Sequence, residues 1–203
     1  MGVKLAVLYY PSDSAGDAPD PAEAVATLFP RSRYEADGEG DLVQYGFPAQ
    51  GELCAGRLRD GLLVTTRDAA LFNPTKLHKR YRSPALGGGP ILLTQRSQYD
   101  MFAYARWESG TLIRSLSVNP GSGVWESIGA PEPFEEPFWA GKRPAGPGYP
   151  LPFHPLDLGE AALNALLGVV LEGPPGPGLL DADQIGLTRF VKVPSARGQA
   201  VPT

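Results

Sequence analysis

Hydrophobic and polar positions change their period several times along the chain, and each change predicts an element. Val3 to Tyr10 is a near-continuous apolar run stopped by Pro11, the pattern of a strand buried on both faces and so central in its sheet. Asp20-Pro21-Ala22-Glu23 then supplies a cap, a first-turn proline and a carboxylate three positions on. This predicts a helix over about 21–29 with Val25, Leu28 and Phe29 on its inner face. From 31 to 50 the chain is polar and glycine-containing and reads as loop, with a short strand at Leu42 to Tyr45. Glu52 to Leu58 and Leu62 to Arg67 flank Arg59-Asp60-Gly61, where Asp-Gly offers the positive φ angles of a tight hairpin. Asn73-Pro74 repeats the signal of a cap before a proline and predicts a helix to about Arg82, lined by Leu77 and Tyr81.

From Ile91 the alternation is clearest. ILLTQR, MFAYARWE, TLIRSLSV and GVWESIG are strand-like runs separated by short turns at Ser109-Gly110 and Asn119-Pro120-Gly121, which predicts an antiparallel meander. Residues 129–157 are rich in glycine and proline yet carry Phe134, Phe138, Trp139, Tyr149 and Phe153; a disordered linker would lack those rings, so an ordered strap over the domain is expected. Asp157-Leu158-Gly159-Glu160 reads as a capping box for a helix that buries Leu163, Leu166 and Leu167 and stops at Gly173-Pro174. Leu187 to Val193 adds a final strand.

These elements predict one α+β domain over residues 1–193, a mostly antiparallel sheet with two or three helices packed on it, followed by a mobile tail at 194–203. Length and composition agree: 203 residues with 42% hydrophobic and 20% charged positions can bury one sizeable core, while Gly 25 and Pro 22 without a period imply long loops. The longest apolar run, Ala161 to Leu171, is too short and too interrupted to cross a bilayer, and the apolar N-terminal run is too short for a signal peptide, so a soluble cytoplasmic protein is expected.

A net charge of -4 argues against general nucleic-acid binding, but the charge is unevenly spread. Acids dominate Ser12 to Asp41, and bases (Arg57, Arg59, Arg67, Lys76, Lys79, Arg80, Arg82) dominate Arg57 to Arg82. The basic segment is either a solvated face or a patch for an acidic partner, and the segment itself has no interleaved aromatics of the base-stacking kind.

Candidate chemistry is sparse. Cys54 stands alone in an alternating apolar stretch and reads as a buried small hydrophobe. Gly87-Gly88-Gly89 lacks the following Lys and Ser/Thr of a phosphate loop and reads as a connector. The two histidines, His78 on the basic segment and His154 at the start of the last helix, lie too far apart to supply metal-ligand spacing, so no metal and no cofactor is expected. Arg106 and Arg114 share strand faces with apolar neighbours: either their stems cover apolar surface while the heads reach solvent, or two guanidinium groups line a cleft.

Met1-Gly2 with Lys4, the run FAYARWESGTLIRSLSV, the segment SIGAPEPFEEPFWAG and the stretch GYPLPFHPLDLGEAALNALLGVVLEG together resemble an uncharacterised, actinobacterial-type family of proteins of about this length. The resemblance covers most of the chain and is strongest from Phe102 to Gly173. It implies a domain of unknown function and brings no reaction, ligand or catalytic residue with it.

Two functions from different classes follow. In the first, the domain is a non-enzymatic binding module that recognises a protein or small ligand through the strap and the adjacent sheet face, at Trp107, Arg114, Trp139, Tyr149 and His154. In the second, it is a hydrolase or transferase with His154 as general base, oriented by Glu135, Glu136 or Asp157, and with Arg106 or Arg114 holding an anion. The second lacks a nucleophile motif, since Gly121-Ser122-Gly123 sits in a hairpin turn. In the first, His154 is otherwise a structural hydrogen-bonding group at a helix start.

Overall fold

The N-terminal apolar run forms β1 (Lys4–Tyr10) at the centre of a nine-stranded antiparallel sheet. Its alternate side chains enter two different cores, Leu5, Val7 and Tyr9 on one face and Ala6, Leu8 and Tyr10 on the other. The computed structural model describes residues 2–12, 18–86 and 89–194. The Gly87-Gly88 connector and the tail expected from 194 onward, beyond Pro194 itself, lie outside the described residues.

The sheet order is β2-β11-β3-β4-β1-β5-β6-β7-β8, in which β5 (Ile91–Arg96), β6 (Met101–Glu108), β7 (Thr111–Asn119) and β8 (Gly123–Ile128) form the expected meander. The hairpin of β3 (Glu52–Leu58) and β4 (Gly61–Thr66) also forms, but the positive φ falls on Arg59 (φ 53) and not on Gly61. Glycine is required at 61 for a different reason: a Cβ there would come within 2.5 Å of the Tyr10 carbonyl oxygen.

Three segments differ from the sequence expectation. Tyr34–Asp41 is a strand, β2, although YEADGEGD is polar and mostly exposed; it borders the sheet beside β11 (Gly186–Lys192), held by the backbone ladder together with Thr188 Oγ1 donating to the Glu39 carboxylate and the Arg189 guanidinium donating to Asp37. Its acids make that edge unattractive to another strand. Leu42–Tyr45, read as a short strand, is a single helical turn, α2, capped by the Asp41 side chain. The helix expected from Asn73 to Arg82 breaks into short 3₁₀ turns, Pro74–Lys76 and Lys79–Arg82, with Leu77 and Tyr81 buried as anchors and the Asn73 side chain making no cap.

One face of the sheet is covered by α1 (Pro21–Leu28) and the 3₁₀ turns, with Val25 and Leu28 buried and Asp20 Oδ1 accepting from the Ala22 amide. The other face carries the strap, including α3 (Glu136–Trp139), and the last helix, α4 (Pro155–Ala162). Here the capping box does not form. His154 occupies the N-cap position, Asp157 lies inside the first turn, and the Glu160 carboxylate turns away to accept from Leu171 N and Asn164 Nδ2. The helix continues as a wider π turn over Leu163–Leu167 and stops at Gly168 (φ 67), five residues earlier than the Gly173-Pro174 signal implied. Val169–Val170 (β9) then pairs with Leu180–Asp181 (β10) in a small parallel ribbon. Gly159 sets the height of α4 above the sheet, because a Cβ there would meet the Gln95 side-chain nitrogen at 2.6 Å.

The widened turn changes which leucine matters. Leu163 and Leu167 are buried against the sheet face, whereas Leu166 is only half-buried. Leu163→Ala is therefore expected to cost about 2–5 kcal/mol, the range for emptying a core leucine, and Leu166→Ala distinctly less. Urea denaturation of the two variants checks the ranking by their midpoints.

Candidate functional site

Where β6 and β7 pair, Arg106 lies directly opposite Arg114 on the face that the strap covers. Two adjacent cations on a half-apolar face require acids, and the strap supplies one for each. Arg106 Nε donates to Glu132 Oε1 at 2.8 Å and its Nη1 to Glu108, at the margin of the sheet. Arg114 is enclosed, with 1% of its surface exposed, and grips Glu135 through Nε to Oε1 (2.9 Å) and Nη2 to Oε2 (2.6 Å).

The remaining polar atoms of this pair are also used. Arg114 Nη1 donates to Ser127 Oγ and to the Ile128 and Gly129 carbonyls. Glu135 further accepts from the Tyr104 hydroxyl, from Trp139 Nε1 at 3.0 Å and from the Glu132 amide at 2.8 Å. Burial alone would push the Glu135 carboxyl up; the hydrogen bonds from Arg114, Tyr104 and Trp139 outweigh it and hold the group below the ordinary carboxylate range. Burial and the adjacent Glu135 charge drive the Tyr104 hydroxyl the other way, so it stays protonated and donates. The expectation of solvent-reaching arginine heads fails for Arg114, whose guanidinium is the buried end of a clamp between sheet and strap.

The strap's rings close over this clamp. Trp139, 40% exposed, sets its ring edge-on to Phe153 at 4.8 Å between centroids, and Phe138 meets Phe153 at 5.7 Å. Farther along, Tyr149 lies 5.1 Å from the His154 ring, its hydroxyl donates to Asp100 Oδ2 at 3.2 Å, and His154 Nε2 stands 3.6 Å from the same oxygen. Burial and the Asp100 charge raise the Tyr149 hydroxyl to about 12. Asp100 occupies the left-handed region (φ 44) in the turn between β5 and β6, so the cluster pins the strap's second half to that turn.

The residues grouped by sequence are thus separated in space. Arg114 and Trp139 meet at Glu135; Tyr149 and His154 meet at Asp100; Trp107 is buried on the opposite face of the sheet, among the residues that pack with α1. The carboxylate beside His154 is Asp100, since Glu135 is engaged by Arg114. His78, between Leu77 and Tyr81 of the opposite core, accepts the Arg80 amide through Nδ1 and caps a 3₁₀ turn. Cys54 is buried and its thiol is raised to about 11 by desolvation, so it is held as an unreactive thiol.

A cavity of about 640 Å³ opens between α3 and the α4 to π-turn segment. Phe134, Pro137, Phe138, Ala161 and Ala165 give it apolar walls, and Arg143, Asp157, Glu160 and Asn164 give it polar ones. Burial raises the Glu160 carboxyl, partly offset by the Leu171 amide and Asn164. Sequence reading missed most of these lining residues because they come from two segments whose proximity depends on the Arg114–Glu135 clamp. The signal that could have found that clamp was an arginine on the inner face of a meander strand, which demands an acid, beside a strap rich in glutamate. Among the described residues no group of His, Cys, Asp and Glu is arranged to hold a metal ion.

Breaking the clamp leaves a buried charge unpaired, so Glu135→Gln is expected to cost about 3–5 kcal/mol at neutral pH. Because the folded carboxyl lies below its ordinary value, its contribution is complete above the ordinary carboxylate range and is lost as the pH falls through that range toward the depressed value. Thermal unfolding followed from neutral to acid pH should show a steeper acid loss in the wild type than in Glu135→Gln.

No curated protein and no solved structure matches the chain. A family of unknown function, DUF6928, matches residues 11–190. That span begins directly after the central strand and includes the whole meander, the strap with its clamp, and the last strand as far as Phe190. The chain belongs to this family of unknown function, DUF6928.

Proposed function

We propose that the domain is a soluble, non-enzymatic binding module acting in the cytoplasm, and that the groove between α3 and α4 receives its ligand. The observation that carries this is the groove itself: about 640 Å³ with aromatic walls and a few convergent polar groups, the usual make-up of a ligand site. Its walls are held rigidly, α3 by the Arg114–Glu135 clamp and α4 by packing of Leu158 and Leu163 on the sheet, which keeps the ordering cost of binding low. Two carboxylates, Asp157 and Glu160, against one guanidinium, Arg143, favour a ligand or protein side chain with an apolar body and a basic head.

The competing reading, a hydrolase or transferase with His154 as general base, has the Asp100 contact in its favour. Against it, Tyr149 and His154 approach the same Asp100 oxygen, and among the described residues no Ser, Thr or Cys side chain hydrogen-bonds to the imidazole. That arrangement suits a strap anchor better than a catalytic base.

Ala165 is exposed at the groove and on the π turn, so Ala165→Phe should fill the space without disturbing the core. Titration of the labelled protein with phenethylammonium is expected to shift amide resonances over 134–143 and 157–165, and Ala165→Phe is expected to abolish those shifts while leaving the unfolding midpoint nearly unchanged. Shifts elsewhere, or equal shifts in the variant, would remove the groove as the site.

A further inference from the structure

At the end of the sheet where β1 begins and β4 and β5 finish, two arginines converge on one aromatic ring. The guanidinium carbon of Arg96 lies 4.6 Å from the Phe47 ring centroid and that of Arg67 lies 4.9 Å from the same centroid. Arg96 is further flanked by Phe72 at 5.9 Å and by Tyr99 at 5.8 Å, the latter ring 58% exposed. Lys4 sits directly opposite Arg96 in the β1–β5 ladder and adds a third cation to this end of the sheet. Phe47 is placed there by the segment after α2, which takes over pairing with β1 as Gly46 O accepts the Ala6 amide.

Arg82 Nε is also buried without a partner among the described residues; what sets Arg67 and Arg96 apart is that two guanidinium groups without a carboxylate share one aromatic ring. Arg114, Arg106 and Arg189 are each held by carboxylates, and Arg59 donates to the Gly168 and Gly178 carbonyls. Among the described residues no carboxylate pairs with Arg67 or Arg96, and Arg96 Nε is buried without a hydrogen-bond partner. Of the acids adjacent in sequence, Asp68 takes the Tyr81 hydroxyl and Asp100 takes Tyr149. Stacking on aromatic faces fixes a guanidinium plane while leaving its edge free, and a free guanidinium edge matches two oxygens of a carboxylate or phosphate. A buried donor without a partner costs free energy until an acceptor arrives. In a chain of net charge -4, Lys4, Arg67 and Arg96 bring three cations to this end of the sheet.

We propose that Arg67 and Arg96, held on Phe47, form a binding site for a small oxyanion, a phosphate or carboxylate group. It is built from residues that do not line the α3–α4 groove and does not depend on it. The basic segment noted in the sequence contributes Arg67 and Phe72; the fold adds Arg96, Phe47 and Tyr99 from outside it.

Calorimetric titration of the full chain with inorganic pyrophosphate and, separately, with citrate tests this, alongside the side-chain Nε–H resonances of arginine. A saturable event with at least one probe is expected, with movement of the Arg96 resonance; pyrophosphate alone would identify phosphate, and citrate alone carboxylate. Arg67→Gln and Arg96→Gln should each weaken binding about tenfold or more. Arg57→Gln, an exposed charge on β3, should leave it within about twofold. Arg96→Lys keeps the charge but loses the fork and should also weaken binding, and unfolding midpoints of all variants separate lost binding from lost fold. No saturation with either probe, or equal weakening by Arg57→Gln, would overturn the proposal.

Discussion

A buried carboxylate and guanidinium hold the least regular part of this domain against its most regular part. Arg114 lies on β7, inside an antiparallel meander whose geometry is fixed by backbone ladders; Glu135 lies on a strap with little regular structure of its own. Removing both charges from water is costly, and a buried pair stabilises only when its remaining donors and acceptors are also met. Here they are: Tyr104, Trp139 and the Glu132 amide reach Glu135, and Ser127 and two backbone carbonyls reach Arg114. Because an apolar contact could slide and this fork cannot, the pair fixes where along the sheet the strap sits, and so where Phe134 and Phe138 face α4.

Regular elements were legible in the sequence to the extent that side chains alone determined them. The double-sided apolar run of β1, the alternation of β5 to β8 and the cap of α1 each encode burial directly, and the structure follows them. β2 was illegible because it has almost no apolar side chain to bury; its backbone ladder and the partners of Asp37 and Glu39 all come from β11, more than a hundred residues later in the chain. The helix at Asn73 failed for a related reason. Its cap and proline were present, but with only Leu77 and Tyr81 facing the core there was too little apolar area to extend a regular helix between them.

The candidate site was legible in its parts and not in its arrangement. Alternation placed Arg114 on an inner face, and the rings of the strap announced order, yet nothing local showed that Glu135 would be the partner or that Asp100 would be the acid beside His154. Trp107 illustrates the limit: it follows Arg106 by one residue, and that single step sends it through to the core on the opposite face of the sheet. His154 proves to be a helix-start residue resting on Tyr149 and Asp100, so the strap is anchored at two places, one deeply buried and one half-exposed.

This gives the strap two unequal attachments, and the account makes the buried one dominant. Native-state hydrogen exchange of Arg114→Met reads it directly, at the hydrogen-bonded amides of Phe138, Trp139, Ala140 and Gly141 compared with those of β1. In that variant the strap amides are expected to lose most of their protection and exchange by local opening, while β1 amides still exchange only through global unfolding. Unchanged protection across 138–141, or an equal loss in strap and sheet, would contradict it.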